Sequence, residues 1–139
     1  MHSANYFFYY AYIGLVIVAG FWGAFINPYF DYRLLFSFDT NTLPDFQRIN
    51  MMSQYRFLRA IELGFGIFAI LCVKIIFTEK KFNRLFLFIM SAGILSRITS
   101  IVMDGIPGGL MLFFLGFEVV GVVVIYLYSR KLFAQHVIT

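Results

Sequence analysis

Histidine, cysteine and charge are the scarce commodities of this chain, and each shortage removes a class of function. The two histidines, His2 and His136, stand at opposite ends and far from any candidate site, so a histidine-based metal or catalytic centre inside the membrane is excluded. The single cysteine, Cys72, cannot form an internal disulfide and lies in an apolar run without ligand-type neighbours; it reads as a small buried thiol. With no zinc, haem or thiol centre to assemble, no metal site is expected and no cofactor is assigned. Charged residues are 13% of the 139 positions and hydrophobic ones 61%, with a mean hydropathy of +0.83. Those values lie outside the soluble class and predict a single integral membrane domain over residues 1–139. The net charge of +4 does not point to nucleic acid, because the basic residues gather at the ends of apolar runs instead of forming one patch among exposed aromatics.

What the chain has in abundance is long apolar stretches. They predict an all-α fold, a four-transmembrane-helix bundle with a long, partly helical outer connection between helices 1 and 2. Tyr6 to Ile26 carries no charge and is long enough to cross a hydrocarbon core roughly 30 Å thick. It lacks the basic start of a signal peptide and is expected to be retained. Gly20, Gly23 and Asn27 recur at helical spacing near its end and offer a small-residue face for close packing. The connection from Asn27 to Ser53 is rich in Tyr and Phe, as suits a segment in the headgroup region or folded over the bundle mouth. Asp39-Thr40-Asn41 reads as a turn, and Thr42, Pro44 and Asp45 as the N-cap, first-turn proline and first-turn acid of a new helix. Whether that helix runs on into the second span, Gln54 to Phe77, or breaks near Asn50 is left open.

A short basic hairpin, Glu79 to Arg84, leads into the third span, Leu85 to about Asp104. The fourth, Gly109 to Tyr128, follows a tight Gly105 to Gly108 turn. Lys80, Lys81, Arg84, Arg130 and Lys131 place the hairpin and the C-terminus in the cytoplasm by the positive-inside rule, and the N-terminus with them. The expected location is the bacterial inner membrane. Tyr9, Tyr10 and Tyr12 fit the inner interface and Trp22 the outer one.

Against this apolar background a few ionisable residues stand out. Arg56, Arg59 and Glu62 share one helical stripe in span two; Gly93, Arg97, Ser100 and Asp104 share one in span three; Glu118 follows in span four. At about 1.5 Å of rise per residue, Arg59, Glu62, Arg97 and Glu118 lie roughly 8 to 14 Å inside the outer ends of their helices. An ionised side chain at mid-membrane costs about 2.5 to 3.5 kcal/mol even on a lenient scale, so mutual pairing inside the bundle is the economical arrangement. Gly64, Gly66, Gly93, Gly121, Ser96 and Ser100 beside these charges leave volume unfilled.

RFLRAIELGFGIF (Arg56 to Phe68), GILSRITSIVMDGIPGG (Gly93 to Gly109) and Glu118 together resemble a family of small bacterial four-span membrane proteins classed as a domain of unknown function, itself similar to the DoxX-like four-helix group. The likeness covers spans two to four and is most specific at Arg97, Ser100, Asp104, Gly105, Pro107 and Glu118. Around Arg56 and Arg59 the chain departs from the family pattern, with Gln54 and Tyr55 before and Ala60 and Ile61 after. The resemblance implies a fold and a topology and brings no activity.

The favoured functional expectation is an outward-facing polar pocket lined by Arg56, Arg59, Glu62, Arg97, Ser100, Asp104 and Glu118 that binds a small amphipathic ligand: a lipid headgroup, quinone or isoprenoid. The expected partners are membrane lipids and that ligand, with a homo-oligomer open and nucleic acid excluded. Two rivals stand beside it. One is a structural or accessory membrane subunit that uses the charges as interhelical ion pairs. The other is a proton-transfer membrane enzyme in which Glu62 or Glu118, left without an arginine, serves as acid or base.

Overall fold

The computed structural model describes residues 2–135. His136 lies outside the described residues. Those residues are almost all helical, with no strand among them: α1 (His2–Phe21) ending in a π-helical turn (Trp22–Ile26), α2 (Pro28–Phe36), a single 3-10 turn (Thr40–Thr42), α3 (Asp45–Leu71), α4 (Val73–Thr78), α5 (Lys80–Asp104) and α6 (Gly109–Gln135). The stretches Ser3–Ile26, Lys80–Asp104 and Gly109–Ala134 are each long and apolar enough to cross a membrane. That makes three such helices, and they suggest a membrane protein. The predicted second span, Gln54 to Phe77, is divided by a break at Cys72 between α3 and α4; α3 itself runs unbroken through Asn50 but carries Asp45, Arg48, Arg56, Arg59 and Glu62, too much charge to join the other three on composition.

Local chemistry sets the helix ends. Pro28 has no N–H, so the Ala24 carbonyl one turn earlier loses its α-helical donor; the backbone widens into the π-turn, where Asn27 N donates to Trp22 O at 3.0 Å. Asn27 then caps α2 by accepting from Phe30 N at 3.1 Å, with Pro28 in the first turn. Ser37, at φ 51°, closes α2 in the left-handed conformation, its N–H on Arg33 O. Thr42 is not the cap of α3. Its hydroxyl donates back to Asp39 O at 2.7 Å within the 3-10 turn, and Pro44 O accepts the first bond of α3, from Arg48 N. Asp39 accepts from Asn41 N, and chiefly that bond, with Arg33 at 3.6 Å, holds its carboxyl below the usual carboxylate range. The support it gives the turn is therefore present at neutral pH and is lost only as the pH falls through that lowered value.

One predicted connection is tighter than expected, and the other falls where it was expected. The basic hairpin shrinks to one extended residue, Glu79, and Lys80, Lys81 and Arg84 belong to the first turns of α5. Gly105 stops α5 at φ +108°, a backbone that side chains rarely adopt, and Pro107 prevents continuation. Gly108 O then accepts from Met111 N at 2.9 Å to start α6.

The chain divides into two compact units. One holds Tyr12 and the residues before it together with Ala69 and the residues after it; the other is Ile13–Phe68. In the first, α5 packs against α4 and α6. Tyr9 lies at its core, fully buried against the rings of Phe77 and Phe86, and donates to Ala69 O at 2.7 Å. This corrects its assignment to the interface: the end of α3 leaves the Ala69 carbonyl without a secure helical donor, and the Tyr9 hydroxyl supplies one. Cys72, at the turn between α3 and α4, is half-buried instead of fully enclosed. Asn83 donates to Ser129 Oγ at 2.8 Å, fixing α5 to α6, and both are buried. Asn5 is also fully buried, and neither end of its amide meets a hydrogen-bond partner.

In the second unit the small-residue face of α1 meets α3. A Cβ added to Gly20 would lie 2.7 Å from Leu63 N and 2.9 Å from Arg59 O, so only glycine permits this approach. Gly66, expected to leave a void, instead lies against Ile17, whose Cγ1 fills that space. Gly20→Ala is expected to cost about 1 to 3 kcal/mol through overpacking against backbone, read as a lower Tm in detergent. Asn5→Leu is expected to raise Tm, because it removes a buried amide whose unmet desolvation costs about 1 to 3 kcal/mol.

Candidate functional site

The charged residues picked out in the sequence form two sets. In the Ile13–Phe68 unit, Tyr55 and Arg59 lie one turn apart on α3 and reach Asp31 in the first turn of α2. Arg59 Nε donates to the Tyr55 hydroxyl at 2.8 Å, and that hydroxyl donates to Asp31 Oδ2 at 2.9 Å. The Arg59 guanidinium also lies 3.7 Å from Asp31 and donates through Nη1 to Glu62 Oε2 at 2.6 Å. The Arg59 and Asp31 side chains are 15% and 11% exposed, while Glu62 is 47% exposed, so the network has a buried end and an open end. Gly23 makes it possible: a Cβ there would come within 2.7 Å of both Asp31 Oδ2 and Arg59 Cγ. Arg56 does not take a carboxylate. Its Nη1 donates to Ala24 O at 2.5 Å, the carbonyl that Pro28 leaves without its donor.

The second set lies on α5 and α6. Arg97 Nε donates to Glu118 Oε2 at 3.0 Å and Nη2 to Oε1 at 3.2 Å, a two-pronged pair well suited to a planar guanidinium. The third nitrogen, Nη1, has the Met111 sulfur at 3.7 Å. One turn further along α5, Ser100 Oγ donates to Asp104 Oδ2 at 3.0 Å. The hydroxyls of Ser96 and Thr99 fold back onto the carbonyls of Gly93 and Leu95, which satisfies them within their own helix. Gly93 opens onto free space, since an added Cβ there meets nothing within 4 Å. Among the described residues no group of three or more His, Cys, Asp or Glu side chains is placed to hold a metal ion.

Asp31 and Tyr55 were not among the residues expected from the sequence. Asp31 lies in the aromatic connection, where its charge alone does not set it apart from Asp39 and Asp45. The available signal was its place three residues after the proline that opens α2, with Tyr55 at the i−4 position to Arg59.

These features define a helical protein with three helices long and apolar enough to cross a membrane, in which Arg59 and Arg97 are held by carboxylates. The family described as Domain of unknown function (DUF4345) matches residues 7–129, and the chain belongs to it. Neither a curated protein nor a solved structure matches the chain.

Tyr55→Phe removes the hydroxyl shared by Arg59 and Asp31. It is expected to lower stability by about 1 to 2 kcal/mol, seen as a fall in Tm, whereas Phe at the exposed Tyr10 should leave Tm unchanged.

Proposed function

We propose that α3 is a fourth membrane span and that the protein is an integral protein of the bacterial cytoplasmic membrane with both termini on the cytoplasmic side. We further propose that it binds a small amphipathic ligand, a lipid headgroup, quinone or isoprenoid, through Arg97. The observation that carries this reading is the unequal use of the Arg97 fork. Two of its nitrogens are satisfied by Glu118, but Nη1 has only a thioether sulfur, a weak acceptor. A guanidinium N–H in an apolar environment gains most from an oxygen, and a phosphate, carboxylate or carbonyl of an amphipathic molecule supplies one. The stripe that Arg97 shares with Gly93, Ser100 and Asp104 is solvent- or lipid-accessible at those three positions, which leaves room for the ligand beside it. Glu118 then orients the guanidinium, and Ser100 and Asp104 supply further polar contacts.

Arg56, Arg59 and Glu62 are assigned in this reading to keeping α3 electrically quiet within the bilayer, with Asp31 and Tyr55 as their complement. Glu62 and Glu118 each lie on an arginine, so no acid–base step is built on either. The rival structural reading draws on the same Arg97–Glu118 pair as a clasp between α5 and α6.

Native mass spectrometry of the wild type and Arg97→Gln separates the two. Selective retention of a lipid or metabolite by the wild type, reduced about tenfold in the variant, supports binding, since a charged hydrogen bond contributes roughly 1.5 to 3 kcal/mol. Equal retention by both, with a lower Tm for Glu118→Gln, leaves the clasp alone.

A further inference from the structure

The end of the α5–α6 pair remote from the Gly105 turn carries five cations, Lys80, Lys81, Arg84, Arg130 and Lys131, all exposed and none in an ion pair among the described residues. Helical geometry sorts them. Asn83 and Ser129 point at each other across the interface, joined at 2.8 Å. The two helices run antiparallel, because the Asn83–Ser129 and Arg97–Glu118 contacts pair ascending numbers with descending ones. Each residue turns the side chain by about 100°, and in antiparallel neighbours the same step turns both to the same side of the pair. Arg84, one step past Asn83, and Arg130, one step past Ser129, therefore emerge together. Lys80, one turn before Arg84, emerges on that side as well. The opposite side is occupied by α1: Tyr128, one step before Ser129, meets Tyr6, and Phe86 meets Tyr9. Lys81 and Lys131, two steps from the contact on each helix, point outward along the axis that joins the helices.

The three cations that converge close one end of a groove whose next turn is apolar. Leu87 lies one turn along from Arg84, and Tyr126 and Val123 lie one and two turns along from Arg130, the latter two 50% and 49% exposed. A ligand that suits both parts has an anion joined to hydrocarbon. We propose that Lys80, Arg84 and Arg130 bind the phosphate of an acidic phospholipid, with the acyl chains lying along the α5–α6 groove past Tyr126. The start of α5 adds to the attraction, since Glu79 makes no side-chain cap and the first-turn N–H groups face the same end. The site is separate from Arg97, and neither depends on the other.

The test uses the full chain in nanodiscs of phosphatidylcholine containing a minor fraction of phosphatidylglycerol, with co-retained lipid measured by native mass spectrometry. Two variants of equal charge change are compared, Arg84→Gln with Arg130→Gln, and Lys81→Gln with Lys131→Gln. The wild type is expected to enrich phosphatidylglycerol over its share of the disc. The arginine variant should lose that enrichment about tenfold, and the lysine variant should change it by no more than about twofold. Equal losses in the two variants would mean diffuse attraction by net charge and would overturn the site, as would a wild type that retains the lipids in the ratio supplied. If either variant fails to fold, the wild type decides: its Tm must rise with phosphatidylglycerol and not with the same concentration of inorganic phosphate.

Discussion

An interrupted helix in an apolar environment leaves backbone carbonyls that no solvent will satisfy, and much of this structure can be traced to that constraint. Each unsatisfied group in hydrocarbon costs several kcal/mol, so every break needs a donor from elsewhere. Pro28 deprives the Ala24 carbonyl of its helical donor, and Arg56 reaches it from α3. The end of α3 strands the Ala69 carbonyl, and Tyr9 reaches it from α1. In both cases the long polar side chain is buried or half-buried, and it lies there because a backbone oxygen does. A guanidinium that looks in sequence like the partner of a carboxylate thus turns out to serve the main chain.

The same economy governs the charges that remain. Arg59 is shared among a phenol and two carboxylates, and Arg97 grips one carboxylate with two nitrogens. Pairing of this kind is poor evidence for stability, because desolvation offsets much of the attraction, but removing one partner exposes the full cost of the other. It also bears on how α3 should be counted. Its composition alone keeps it out of the set of helices apolar enough to cross a membrane, yet Arg56 and Arg59 face Asp31, Tyr55 and the Ala24 carbonyl within its own unit, and Glu62 pairs with Arg59.

Sequence patterns disclosed the helices well and the partners less well. Long uncharged runs, the Gly/Pro turn at 105–108 and the glycine spacing at Gly20 and Gly23 follow from steric and periodic rules that act locally, and they are visible without coordinates. The stripe containing Arg97 was visible for the same reason. Tyr9 reads as an interfacial residue in the sequence because composition gives depth but not the direction a side chain faces. Thr42 reads as a cap because a threonine before a proline fits that role equally well whether its hydroxyl turns forward to the helix or, as here, back to Asp39. Asp31 was invisible because its partners, Tyr55 and Arg59, lie 24 residues or more along the chain, and only the fold brings them within reach.

The turn that returns α6 beside α5 has a bearing on biogenesis. Residues 105–108 are the whole connection, and across it Arg97 and Glu118 meet in a direct pair. In the proposed membrane placement, a single helix carrying either residue would present a bare charge to the lipid during insertion, positive for α5 and negative for α6. Delivered together as a hairpin, the two helices can neutralise each other before either reaches the hydrocarbon, so the brevity of the turn couples the partitioning of one helix to the arrival of the next.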